Sequence, residues 1–374
     1  MRYYLLAMRE QAERPESRGI RVRAFAAELG FDAVAVARAD LPLDSDFERY
    51  EAFVDAGFHG EMGWLADHRE ARRRLNSGLM LEGAKSVICL ARKYQRGAEE
   101  EACDPPFAQT IARYARGRDY HTGVRRKLRQ LASFVRRLAS ESGDVAAARP
   151  LCDDAPILER AWAARAGLGF VGKNGLLIVP GEGSFVLLGE VVTTMELAPD
   201  SPIPERCGAC TRCLDACPTQ AFVAPFVLDA RRCVSYLTIE HRSSVDANLR
   251  EGVGEHLFGC DDCQTVCPFN ASRKNPGERT RMFAPHERWN DTSVEDALGI
   301  SLEAWESFRE GSPLGRATRE GLARNAALVL GNRGDARALP SLQAALAVHD
   351  SPVVRDAISW AIHAIRAKCP PREG

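Results

Sequence analysis

A chain of 374 residues with 50 Lys and Arg against 51 Asp and Glu carries a formal charge of −1, which excludes a partner held by bulk charge alone. The length allows two or three domains with sizeable cores. No apolar run approaches the ~20 residues a membrane span needs, and the opening MRYYLLAMREQAERPESRGI has one short apolar patch and no cleavage site, so a soluble, cytoplasmic protein is expected.

IRVRAFAAELG reads as a helix stopped at Gly30, FDAVAVARA alternates as a strand does, and AKSVICLARKY has a strand-like apolar core. HTGVRRKLRQLASFVRRLASESG places Leu128, Leu131, Val135 and Leu138 at helical spacing. Residues 111–150 hold ten basic and three acidic side chains, a local excess of about +7. That excess suits phosphate and points to nucleic acid, with a solvated helix face as the bland alternative. RDYHTG nearly matches the D-x-H-x-x-G box that ligates the cobalt of cobalamin, but Val124 stands where the glycine is required. His121 is therefore either a substrate contact or a surface residue.

Next comes CDDAPILERAWAARAGLGFVGKN. Asp153 and Asp154 precede a helical run, so one can serve as an N-cap. Either could instead donate a proton, which requires burial to keep it protonated near neutrality. GLGFVG matches G-x-G-x-x-G, yet a dinucleotide site needs strand, loop and helix in that order, and here the helix comes first. The glycines then mark a helix stop with a tight turn, or bare backbone that a large flat ligand approaches closely. LLIVPGEGSFVLLGEVVTT reads as two strands across a Gly-rich turn. The first 199 residues are thus an α/β or α+β domain.

Eight of the 12 cysteines fall between residues 207 and 267. In a reducing compartment such clustering means metal ligands rather than disulfides. Cys207, Cys210, Cys213, Cys217 and Pro218 form C-x2-C-x2-C-x3-C-P, the bacterial ferredoxin spacing, and Cys260, Cys263, Cys267 and Pro268 repeat its last part. Cys233 supplies the missing member. By the crossed ferredoxin logic, Cys207, Cys210, Cys213 and Cys267 hold one 4Fe–4S cluster, and Cys217, Cys233, Cys260 and Cys263 hold the other. A pair of zinc sites is the alternative, but zinc does not account for a 2-2-3 rhythm closed by proline twice. Cys89, Cys103, Cys152 and Cys369 are isolated. A ferredoxin-like module over residues 200–275 leaves most of the chain for a second redox centre or a partner.

The remainder, 276–374, repeats itself: RNAALVLGN from Arg324 and RDAISWAIH from Arg355 lie 31 residues apart. Two-helix repeats of this length resemble HEAT units. One and a half units cannot stand alone and must dock on the rest.

Taken together, HGEM (His59–Met62), GRDYH (Gly117–His121), DDAPILERAWAARAGLGFVGKN, GSFVLLGE (Gly183–Glu190), the eight cysteines, DARRCVSYLTIE (Asp229–Glu240) and RNAALVLGN resemble, in order, the epoxyqueuosine reductase family. The resemblance spans residues 20–365. It implies a nitroreductase-like domain holding cobalamin, two 4Fe–4S clusters, and a HEAT-like arm against tRNA. The reaction it implies is removal of the epoxide oxygen of epoxyqueuosine at the wobble position of an anticodon stem-loop, with electrons from an external donor. The family's proton donor falls on Asp153, and its cobalamin contacts on Asp153, Leu177, Leu188, Ser235, Cys260 and Asp261. Asp154 replaces the family's Ser, placing a second carboxylate beside the donor, and Asp67 stands where a relative has Arg. A reductive dehalogenase-like enzyme is a rival, but it lacks the helical arm and carries an export signal. An iron–sulfur electron carrier is another, but it leaves the Asp153 segment idle. No coiled-coil repeat is present, so a monomer is expected.

Overall fold

The computed structural model describes residues 14–153, 155–271, 280 and 282–368. Asp154 and Cys369 lie outside them. The fold is mixed α/β, and it is built on a four-stranded sheet.

Strand β1 (Ala33–Arg38), β2 (Ser86–Lys93), β3 (Ala148–Leu151) and β6 (Val186–Thr193) lie in the order β1-β2-β6-β3, and every pairing is antiparallel. Every residue of β2 is buried, because both faces of the sheet are covered. Side chains alternate across a strand, so Ile88 and Leu90 enter one core while Val87, Cys89 and Ala91 enter another.

The first core lies under helices α1 (Pro15–Glu28) and α2 (Tyr120–Glu141). Helix α1 starts with Pro at its first turn and stops before Gly30 at φ +85°. Helix α2 is capped by Asp119, whose carboxylate accepts the backbone N–H of His121. Its stripe of Val124, Leu128, Leu131, Val135 and Leu138 faces the sheet. A Cβ on Gly189 would lie 2.8 Å from Leu128, so the bare strand lets the helix settle close. Burying Leu128 completely contributes about 2 kcal/mol. The second core lies under helix α3 (Glu159–Arg165), through Trp162 and Ala163.

The Gly-rich turn after residue 176 differs from the two-strand reading. Strand β5 (Leu177–Ile178) pairs with β4 (Phe170–Val171), while β6 joins the main sheet. A lone bridge between Val179 and Gly183 spans the turn.

Short helices α4 (Arg212–Asp215), α5 (Val234–Ile239) and α6 (Asp262–Thr265) carry or adjoin the cysteines. Beyond them, α7 (Val294–Gly299), α8 (Arg319–Arg333), α9 (Leu339–Val348) and α10 (Pro352–Lys368) form the helical end. Helices α8 and α10 touch where a Cβ on Gly331 would meet Trp360 at 2.7 Å. The core of this end is continuous with Phe107, Ile111, Tyr236, Leu237, Leu257 and Phe258. Arg324, 1% exposed, fixes the joint. Its Nη1 donates to the carbonyls of His241 and Ser243 at 2.9 and 2.8 Å, and Asn325 beside it donates to those of Thr238 and Leu257. Among the described residues, no helix is long and apolar enough to cross a membrane.

Candidate active site and metal centre

Asp153 follows β3 in the left-handed backbone region, φ +55°, a conformation that costs a non-glycine residue about 1 kcal/mol or more. Its backbone N–H donates to Glu159 Oε1 at 3.1 Å, the first residue of α3. Its Oδ2 takes the Tyr120 hydroxyl at 3.0 Å and lies 3.2 Å from His121 Nε2. The other ring nitrogen of His121 lies 2.7 Å from Asp119 Oδ1. Hydrogen bonding to Asp119 first, and to Asp153 second, pushes the imidazole up to about 9, so it is an imidazolium at neutrality. His121 is thus bound between two carboxylates rather than free to ligate a metal. The Asp153 side chain is 58% exposed, whereas a sequestered donor would need burial. The reason is local: β3 ends at Leu151, and the chain leaves the sheet before Asp153.

A cavity of about 210 Å³ opens beside Asp153, walled by Leu177, Val186, Leu187 and Leu188, with Tyr120 and Glu159 at its polar side. The fold therefore brings Asp153, Leu177 and Leu188 together. Ser235, Cys260 and Asp261 stand on the cysteine-bearing side instead. Asp261 accepts the Arg113 backbone N–H at 2.8 Å and its Nη1 at 3.2 Å. The Arg113 guanidinium in turn lies over the Phe185 ring, 4.8 Å from its centroid. Aromatic contacts join the two sides as well, from Tyr120 to Tyr114 and from Tyr114 to Phe258.

The described cysteines are all free thiols. Cys207, Cys210, Cys213 and Cys267 line one cavity of about 140 Å³ with Lys173, Asn174 and Phe269. Cys217, Cys260 and Cys263 lie close enough to Cys233 for their charges to act on one another. Four thiols thus share one cavity, and Cys217, Cys233, Cys260 and Cys263 lie near one another, with Cys213 also near Cys263. Four soft sulfur donors at each of two adjacent positions fit iron–sulfur ligation. The first tetrad is tied to the Asp153 pocket through Asn270, whose Oδ1 accepts the Ser184 N–H at 2.7 Å while its Nδ2 donates to the Ser184 hydroxyl at 2.9 Å.

Other motifs prove to be joints. A Cβ on Gly60 of HGEM would lie 2.4 Å from the Tyr236 hydroxyl, which accepts the Glu61 N–H at 2.7 Å. The glycines of GLGFVG face the chain's own atoms: Gly167 the carbonyl of Ser201, Gly169 that of Ile178, Gly172 the Ile178 side chain. The close approach is internal packing, so the helix stop and turn is the reading that stands. The basic stretch is also divided. Arg116 turns inward to Asp104, and Arg113 to Glu101 and Asp261, leaving Arg118, Arg126, Arg129, Arg136 and Arg137 exposed.

Sequence reasoning gave no role to Tyr120, Glu159 or Glu190. Glu190 lies in β6 opposite Cys89 and Leu151, facing α3, and is 0% exposed. An acid inside the apolar strand FVLLGEVVTT was the available signal.

Comparison with known proteins gives two matching family models. One, described as epoxyqueuosine reductase QueG, DUF1730, matches residues 74–153; the other, a 4Fe-4S double cluster binding domain, matches residues 206–270. The epoxyqueuosine reductase of Gloeobacter violaceus is 42% identical over 330 residues, covering 87% of this chain and 98% of the relative. That of Escherichia coli K12 is 35% identical, covering 91% and 88%. A crystal structure of epoxyqueuosine reductase with an epoxyqueuosine-modified tRNA-Tyr stem loop superimposes with a TM-score of 0.79 at 31% identity, covering 92% of this chain and 89% of that one. A Bacillus subtilis epoxyqueuosine reductase structure, with its catalytic loop swung out of the active site, has a TM-score of 0.79 at 30% identity, covering 92% and 89%.

Proposed function

The chain belongs to the epoxyqueuosine reductase family, and on that basis we propose how its parts divide the work. It is an oxidoreductase that reduces epoxyqueuosine to queuosine at the wobble position of tRNA, using two 4Fe–4S clusters and cobalamin. Cys207, Cys210, Cys213 and Cys267 hold one cluster, and Cys217, Cys233, Cys260 and Cys263 the other. Leu177 and Leu188 give cobalamin an apolar wall, with Asp153, Ser235, Cys260 and Asp261 around it. When bound, cobalamin supplies the electrons at the epoxide.

The chain's own residues position the substrate and move its protons. Asp153 gives a proton to the opening epoxide oxygen. Tyr120 and His121 hold its carboxyl at the cavity, and the aliphatic walls keep water from the reducing centre. Exposed Arg118, Arg126 and Arg129 on and before α2 supply phosphate contacts, with recognition resting on shape and a splayed base. We divide the chain into a nitroreductase-like domain (1–199), a ferredoxin-like module (200–275) and a HEAT-like arm (276–374) that rests against tRNA. A monomer in the cytoplasm, charged by an external low-potential one-electron donor, completes the reading.

The observation that carries it is the meeting of Asp153, Leu177 and Leu188 at one cavity, joined through Ser184 and Asn270 to a tetrad of thiols. The test is nucleoside mass spectrometry of epoxyqueuosine-containing tRNA after anaerobic incubation with cluster-loaded protein, cobalamin and a strong reductant. Conversion to queuosine that is lost with Asp153→Asn supports the reaction and the donor. Conversion that survives this change moves the donor role to Asp154, and no conversion with intact clusters overturns the reading.

A further inference from the structure

Deoxygenating an epoxide to an alkene and water breaks two C–O bonds and consumes two electrons and two protons. The electrons come from the reductant already named. One proton passes through Asp153, which leaves the source of the second open.

Directly behind Asp153, Glu159 of α3 and Glu190 of β6 bring their carboxyl groups into hydrogen-bond contact. No donor of the described residues reaches either carboxyl oxygen of Glu190, so the contact exists only when a proton lies between the two acids. Two bare carboxylates there, one of them wholly buried, would repel each other and pay the full cost of desolvation. Such a pair does not help the fold, since apolar residues of similar volume are often neutral or stabilising by comparison. Glu159 also faces the reaction: it lines the Asp153 cavity and its Oε1 accepts the Asp153 N–H at 3.1 Å.

We propose that Glu159 and Glu190 share one proton and pass it to Asp153, so that the site holds both protons the deoxygenation consumes. The inference rests on the epoxide-reduction reading. When the first C–O bond breaks, Asp153 hands the alkoxide oxygen a proton drawn from the His121 imidazolium 3.2 Å away and is again a carboxylate. The shared proton then moves through Glu159 to Asp153, and from there to the departing hydroxyl as the second C–O bond breaks and water leaves. Glu190 touches no substrate and acts through Glu159, so it is a positioning residue.

The groups facing the pair are consistent with it. Burial pushes Glu159 up to about 7 and Glu190 well above the usual carboxylate range, and the negative charge of Asp153 adds to both. The Cys89 thiol on β2 and the Cys152 thiol after β3 are held neutral by burial. Arg160 on α3 faces Glu159 and opposes the effect in part, while Arg125 on α2 faces Cys152.

The test uses holoenzyme in single-turnover conversion across about pH 5 to 9, together with thermal melting of the same proteins. For the wild type, the conversion rate falls as pH rises through about 7. Glu190→Gln cannot hold the proton, and its rate at neutrality drops by about tenfold or more. Melting reads the pair without turnover. A carboxyl raised in the folded state stabilises most below its unfolded value, and that stability is lost as pH rises through the folded one. The wild type therefore loses stability between about pH 4.5 and 7, and Glu159→Gln removes that loss. A Glu190→Gln enzyme with the wild-type rate overturns the relay, and a Glu159→Gln melting profile unchanged from wild type overturns the shared proton. If the wild type converts no substrate, the epoxide reading fails instead, and melting still decides whether the pair holds a proton. Glu159→Gln serves as the second variant.

Discussion

His121 Nε2 lies 3.2 Å from Asp153 Oδ2, with its imidazole stacked on Tyr120 at a centroid distance of 4.1 Å. The ring is held by carboxylates on both sides, and this fixes the Asp153 side chain although its backbone sits in a strained conformation.

A first prediction follows for pH. The folded value of His121 is raised to about 9 from an ordinary 6.5, so the stability it contributes is complete below about pH 6.5 and is lost as pH rises through 9. Both carboxylate partners are more than a third exposed, so screening reduces the contribution to about 1–2 kcal/mol. Melting of wild type and His121→Asn should converge above about pH 9 and separate below it.

The two tetrads can be tested one thiol at a time. Cys267→Ala and Cys210→Ala should each remove the same cluster, leaving about half the iron, although 57 residues separate them in sequence. Cys233→Ala should remove the other. Iron analysis with low-temperature EPR checks this. If Cys267→Ala depletes the cluster that Cys233→Ala depletes, the crossed assignment fails.

At the motif joint, Gly60 carries φ +59° with the Tyr236 ring directly over the missing Cβ. Gly60→Ala combines a clash with a left-handed backbone and should cost about 2–3 kcal/mol in urea unfolding. Tyr236→Phe removes the acceptor for the Glu61 N–H and a long contact with His241 Nδ1, and should cost about 1 kcal/mol.

Arg324 is buried with its guanidinium on three backbone carbonyls and the Asn325 side chain. Arg324→Met fills the space but leaves those carbonyls unpaired, so a loss of about 3 kcal/mol is expected. Because the core is continuous across the joint, unfolding should remain a single transition by circular dichroism and by tryptophan fluorescence.

The parts legible in sequence are those whose physics is local. The cysteine runs announce a double-cluster domain, matched over residues 206–270, because ligand geometry constrains neighbours a few residues apart, and β1, β2 and α2 follow from periodicity and caps. Contacts made by distant segments were not legible. Glu190 reads as a polar interruption until α3 brings Glu159 against it. A proton-donor role for Asp153 calls for burial, but the end of β3 turns it outward. The glycines of GLGFVG were equally compatible with a ligand, and only the placement of Ser201 and Ile178 fills the space above them. The basic stretch looked like one patch because charge counting ignores which guanidiniums turn inward to Asp104 and Asp261.

The continuous core has a consequence for how the protein is made. Cys267 leaves the ribosome about 100 residues before the end of α10, an interval of about 5–20 s at ordinary elongation rates. Until α10 emerges, the core that joins Tyr236, Leu257 and Phe258 to the helical end is incomplete. Iron and sulfide delivered during that interval would meet a nascent chain open to oxygen, so loading is best timed after release. Slow translation of the final helices lengthens the exposure, and ribosomes stalled there should yield chains with oxidised cysteines.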